Sequence, residues 1–171
     1  MSITENITKY AAYNIWANQI LSAYVQKTCS DAEIEQTIMN SFPSIRKTMA
    51  HIWDAEVLWI HRLDGISMDY FPSSRFEGNN LELFQNLNQN SILFYDKVLN
   101  MNQLDLEIEI TYMTLTYGGS TQNRYDMIQH CMNHSTYHRG QVIMMLRQLG
   151  HTELPHLDFM LYLIERKKAT V

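Results

Sequence analysis

Apolar residues recur at three- and four-residue steps in four long stretches of the chain, the periodicity of helices that bury one face. Residues 8–27 carry Tyr13, Trp16, Ala17, Ile20, Leu21 and Tyr24 on one stripe. Residues 43–63 place Ile45, Met49, Ile52, Trp53, Glu56 and Trp59 on one side. Ser41 is the expected N-cap there, and Pro43 is tolerated because the first helical N–H groups lack intrahelical partners. Residues 81–100 form a third helix through Leu83, Leu87, Phe94 and Val98, and residues 123–149 a fourth that stops at Gly150.

Between the second and third helices, residues 65–80 hold Pro72, three serines and two terminal-type glycines, the composition of a long loop. Such a loop could cover a site through Tyr70, Phe71, Arg75 or Phe76. Leu104, Leu106, Ile108, Ile110 and Tyr112 alternate with polar residues, the period of a strand, and Gly118-Gly119 follows as a turn signal. Pro155 is expected to open a short last helix running to residue 167. The expectation is therefore an all-α fold: a four-helix bundle of up-down-down-up type with a long crossover, a short C-terminal helix, and a small β excursion between helices three and four. No repeat or linker divides residues 1–171, so one domain is expected.

Composition narrows the function. A chain of 171 residues, 46% hydrophobic and 18% charged, can bury a core without disulfides and is unlike a disordered segment. With net charge −5, and Arg166-Lys167-Lys168 as its one basic run, it lacks the positive surface that binding to nucleic acid requires. Two cysteines, Cys29 and Cys131, suit a reducing compartment. Met1-Ser2-Ile3-Thr4-Glu5 does not begin a secretory signal, and no run approaches the roughly 18 apolar residues of a membrane span. A cytoplasmic protein with neither a membrane nor a nucleic-acid partner is expected.

Candidate chemistry lies in the histidines. His134 and His138 are four residues apart, so on a helix both imidazoles leave the same face and can converge on one ion. His130 continues the series, and spacing alone does not say which adjacent pair is the relevant one. A third ligand must come from another helix, and His51 sits on an otherwise apolar face of helix two; a lone histidine there is also compatible with an ordinary core residue. His61, His151 and His156 read as solvated. Asp54, near His51, could accept from the second ring N–H and hold its tautomer. Gly140 inside a helix suggests close approach of another helix or a ligand. Arg139 and Gln141 could orient a substrate or fix helix four by buried hydrogen bonds.

The sequence resembles the DinB-like (DinB/YfiT) family of metal-dependent enzymes. The resemblance rests on Tyr13-Asn14-Ile15-Trp16-Ala17-Asn18, on Ser41-Phe42-Pro43-Ser44-Ile45 leading to His51-Ile52-Trp53-Asp54-Ala55-Glu56, and on Arg147-Gln148-Leu149-Gly150. Most specific is Asn133-His134-Ser135-Thr136-Tyr137-His138-Arg139-Gly140-Gln141, similar to the family's Asn-His-x-x-His-His-Arg-Gly-Gln signature. The resemblance implies one divalent metal ion, Zn²⁺ or Ni²⁺ by ligand type, held by His51, His134 and His138, with His130 outside the ligand set. Tyr137 departs from the signature at a position that is not a mapped ligand. The same resemblance implies a thiol-dependent S-transferase, in which the metal activates a low-molecular-weight thiol such as bacillithiol toward an electrophile. Arg139, Tyr137 or Arg75 would then bind the polar groups of that thiol. Competing readings are a hydrolase using metal-bound hydroxide and a non-catalytic, metal-stabilised dimerisation module. A small-molecule substrate and a homodimer are the expected partners.

Overall fold

Four helices of 18 to 26 residues dominate the computed structural model, which describes residues 2–168: α1 (Ile3–Thr28), α3 (Ile45–Arg62), α4 (Asn80–Leu99) and α6 (Arg124–Gln148). Three shorter helices, α2 (Asp31–Glu35), α5 (Gln103–Glu107) and α7 (Phe159–Lys168), and a hairpin of β1 (Glu109–Thr114) and β2 (Gly118–Asn123) complete it. The fold is thus mostly helical, with a small two-stranded sheet between the third and fourth long helices.

Side-chain caps set several boundaries that apolar periodicity misses. Ser2 and Glu5 close a reciprocal capping box, so α1 begins five residues before the expected start. The cap of α3 is Ser44, not Ser41: the Ser44 hydroxyl accepts from Lys47 N–H at 3.1 Å, leaving Pro43 outside the helix. A box between Ser30 and Glu33 creates the unanticipated α2. Asn102 and Asp105 do the same for α5, so residues 103–107 are helical where alternation suggested strand. Leu104 and Leu106 accordingly have opposite fates, 75% and 1% exposed, although a strand would put them on one face. The hairpin turn precedes the expected Gly118-Gly119, which open β2, with Gly118 at φ +80. Helix α7 starts four residues after Pro155.

Helix α1 packs against α4 and α6, and α3 packs against the same two. Contacts fix the directions. Tyr10 bonds Asn133, and Asn14 and Asn18 bond Arg139, so α1 and α6 run parallel. Arg46 meets Asn80, Glu56 meets Ser91 and Lys97 meets Asp64, so α3 and α4 also run parallel. Trp59 lies on His130 while Thr48 meets Met145, which sets α3 against α6. The segment between α3 and α4 is therefore a crossover that returns the chain to the end where α3 began, and a 3₁₀ turn at Pro72–Arg75 sits within it.

Two large apolar clusters lie in the interior, and a smaller third one, Tyr13, Ala17 and Tyr162, joins α1 to α7. Ile7, Ala11, Trp59, Leu63, Phe94, Val98, Met127 and Ile128 make one. Leu21, Val25, Ile45, Met49, Ile52, Leu83, Leu87, Val142 and Leu146 make the other. Each long helix also places buried polar residues between these two sets: Asn14 and Asn18, Glu56, Asn90 and Ser91, Ser135 and Arg139. Glu56 Oε1 accepts from the Asn14 and Asn18 amides at 2.6 and 2.9 Å, and Oε2 from the Ser91 hydroxyl at 2.7 Å. Arg139 Nη1 donates to the Oδ1 atoms of the same asparagines at 2.6 and 2.9 Å. Two asparagines thus relay between a buried carboxylate and a buried guanidinium, which satisfies groups whose isolated burial would cost several kcal/mol or more.

Candidate metal centre

Beside the polar layer, three histidines gather between α3 and α6. His51 comes from the second turn of α3; His134 and His138 come from successive turns of α6. Their Nε2 atoms converge: His134 Nε2 lies 2.9 Å from His51 Nε2 and 3.1 Å from His138 Nε2. One ligand atom from each lies within 4.8 Å of those of the other two. Nitrogens sharing one ion at about 2.1 Å stand about 3.0–3.4 Å from each other, so the spacing suits a common divalent cation.

Protonation points the same way. His138 Nδ1–H donates to Gln141 Oε1 at 2.7 Å, which leaves Nε2 as a lone pair facing the other rings. His134 Nδ1 is buried without a partner. A proton on His134 Nε2 could serve one neighbour at a time, whereas a cation serves all three lone pairs. Burial, then the neighbouring His138 charge, lowers the His51 pKa to about 4. Burial, followed by His138, His51 and His130, lowers His134 to about 3. Burial also lowers His138, against the raising effect of its Gln141 bond. All three are neutral at pH 7, the form that coordinates a metal. Phe42 stacks on the His51 ring at a centroid distance of 3.9 Å and shields one side.

The triad opens onto a cleft of about 1120 Å³ bounded by α3, α6, the hairpin and the crossover turn. His51 and His134 line it, with Trp59, Tyr112, Met127 and Leu115 among its apolar walls. From the crossover, Phe71, Ser73 and Ser74 face the cleft; Tyr70, Arg75 and Phe76 do not, and Arg75 instead covers the Tyr70 ring at 3.7 Å.

Several expected roles change. Asp54 does not hold His51: its two oxygens accept from Ser73 N–H at 2.7 Å and Ser73 Oγ at 2.5 Å, pinning the crossover to α3. Burial raises the Asp54 pKa, against the lowering effect of those bonds. Of the two roles expected for Arg139, the contacts fit the buried hydrogen-bond partner and not the substrate ligand: it is 2% exposed and committed to Asn14, Asn18 and Thr136. Tyr137 is 63% exposed, with its ring edge-on to His138. A Cβ on Gly140 would meet nothing within 4 Å, so no close approach explains that glycine. His130 lies beside His134 at a ring distance of 6.0 Å, outside the convergent set. His151 is half-buried near Cys29 and Glu33, not solvated, because the chain after Gly150 folds back toward α2.

The sequence reading missed the asparagine relay and the stacking of Phe42 on His51. Asn14 and Asn18, four apart within the α1 stripe, were the available signal for the relay. The Phe42 contact depends on the bend before α3, which no periodicity describes.

Residues 1–167 match the family model described as the DinB family. This chain belongs to the DinB family. It is 28% identical over 169 residues to Protein DinB of Bacillus subtilis (strain 168), covering 93% of this chain and 94% of that protein. The fold is similar to the crystal structures of two DinB-like proteins. The one from Bacillus subtilis has a TM-score of 0.65 at 17% identity, covering 87% of this chain and 96% of that one. The one from Bacillus cereus ATCC 10987 has a TM-score of 0.69 at 15% identity, covering 89% and 96%. No described helix of this DinB-family chain is long and apolar enough to cross a membrane.

Proposed function

We propose that this chain is a divalent-metal-dependent S-transferase that joins a low-molecular-weight thiol, such as bacillithiol, to a small electrophile. The observation that carries the reading is the convergence of three neutral imidazole nitrogens at the edge of a roomy cleft. In this reading His51, His134 and His138 hold one Zn²⁺ or Ni²⁺, and three protein ligands leave room for a further one, as in catalytic rather than closed structural sites. Such an ion supplies acidification of a thiol, making it a nucleophile at neutral pH.

The chain's own residues do the rest. Gln141 fixes the His138 ring, and Phe42 keeps water from one face of His51. Ser73, held by Asp54, sets the crossover wall, while Trp59, Tyr112 and Leu115 provide apolar surface for the electrophile. Hydrolysis is the competing reaction. Of the two carboxylates that line the cleft, Asp54 is held through both oxygens by Ser73 and Asp126 bonds Asn123, so neither is set apart as a general base, which favours thiol transfer.

The test is to load the protein with Zn²⁺ or Ni²⁺, add monochlorobimane and a panel of cellular thiols, and follow conjugate formation. Metal-dependent conjugation that disappears in His134→Ala is expected. Absence of conjugation with every thiol, together with ester or amide cleavage, would favour the hydrolase; loss of thermal stability alone on metal removal would favour the non-catalytic module. A homodimer is part of the same proposal and is tested by light scattering.

A further inference from the structure

Arg62 ends α3 and lines the cleft, yet it is 7% exposed. Its guanidinium lies against two rings, with Cζ 4.7 Å from the Trp59 centroid and 5.3 Å from that of Tyr112. Among the described residues no carboxylate pairs with it and no acceptor takes its side-chain N–H groups; Nε is fully buried and unpartnered. Aromatic faces compensate a cation only partly, so a desolvated guanidinium without acceptors is an incomplete site.

The surroundings say what would complete it. Asp54 and Asp126, the acids of the cleft, bond Ser73 and Asn123 and do not reach Arg62. His130 packs on the Trp59 ring, at a centroid distance of 4.9 Å, and not on the guanidinium. Lys47, the other basic residue on the wall, is exposed. One buried positive charge therefore faces apolar and aromatic walls. Eleven positions separate Arg62 from His51, about 16 Å along α3 at the helical rise.

We infer that Arg62 binds the carboxylate of an elongated small molecule that lies along the cleft with its other end at the histidine triad. This rests on reading the cleft as the substrate site. The planar fork of arginine fits carboxylate and phosphate alike, but a single buried cation balances one negative charge, which a carboxylate carries and a phosphate monoester exceeds.

The test titrates 4-phenylbutyrate, its neutral amide and 3-phenylpropyl phosphate into metal-loaded protein and into His134→Ala by calorimetry. The carboxylate should bind about 10- to 100-fold tighter than the amide in both proteins. That preference should vanish in Arg62→Gln and shrink in Arg62→Lys, which keeps the charge without the fork. Equal affinity for acid and amide, binding of neither, or a preference unchanged in Arg62→Gln overturns the inference; tighter binding of the phosphate overturns the assignment to carboxylate. Should Arg62→Gln not fold by circular dichroism, the wild type and Arg62→Lys decide. A carboxylate preference without thiol transfer leaves this inference standing and sinks the transferase, and the converse result sinks only the inference.

Discussion

Replacing Arg139 by methionine tests whether the central polar layer is one coupled unit. The guanidinium is 2% exposed, and its loss removes three donated bonds, two of them to the asparagines that also serve Glu56. Glu56, fully buried, is left without its countercharge. Breaking such a pair from one side costs about 3–5 kcal/mol, a large share of the roughly 5–15 kcal/mol that stabilises a domain. Burial already raises the Glu56 pKa, and the Arg139 charge opposes that rise, so the variant should raise it further. A carboxyl whose folded pKa exceeds its unfolded value gives stability that is complete below the unfolded pKa and is lost as pH climbs through the folded one. Arg139→Met should therefore recover stability from pH 7 to pH 5 relative to wild type. Adding Glu56→Gln should restore about 1–3 kcal/mol at pH 7, because the amide keeps an oxygen for the asparagines while Ser91 Oγ can donate to Leu87 O instead. Urea unfolding followed by circular dichroism reads all of this. Strict additivity of the two substitutions, with no pH-dependent recovery, would refute the coupling.

Three further outcomes follow from individual contacts. Gly140→Ala should stabilise the protein by about 0.5–1 kcal/mol, since the added methyl meets nothing and helix propensity improves; equilibrium unfolding checks it. Gln141→Leu removes the acceptor that orients His138 and should weaken metal binding about 10- to 100-fold, measured against a competing chelator. In metal-free protein, His51 and His134 have pKa values lowered to about 4 and about 3 from 6.5, so the unfolded chain takes up their protons first. Their contribution is then present above pH 6.5 and lost as pH falls toward 4; thermal melts should show this slope, and it should flatten in His51→Ala/His134→Ala.

The helical character and the four long helices could be read from apolar spacing because each helix buries apolar residues at three- and four-residue steps on either side of its buried polar positions. Boundaries could not, since they depend on single side chains such as Ser2, Ser44 and Asn102 that reach back to a free N–H. Helix α5 imitated a strand because five residues of alternating character fit both periods, and only the Asn102 cap and the different burial of Leu104 and Leu106 separate them. At the site, the four-residue step placed His134 and His138 on one face, but joining them to His51 drew on family resemblance, because spacing within α6 says nothing about α3. Arg139 and Asp54 sit within a few residues of the triad in sequence, yet they face the core relay and the crossover. Arg62 gave no signal at all: a basic residue at a helix C-terminus is ordinary until its burial between two rings is visible.

The proposed chemistry requires that His51, His134 and His138 share one ion. Calorimetric titration of metal-free protein with Zn²⁺, paired with X-ray absorption of the product, tests it directly. One ion per chain is expected, with three imidazole nitrogens at about 2.0–2.1 Å and affinity lost on changing any of the three histidines to alanine. Zn²⁺ bound equally well by His51→Ala, or a coordination shell without imidazole, would contradict it.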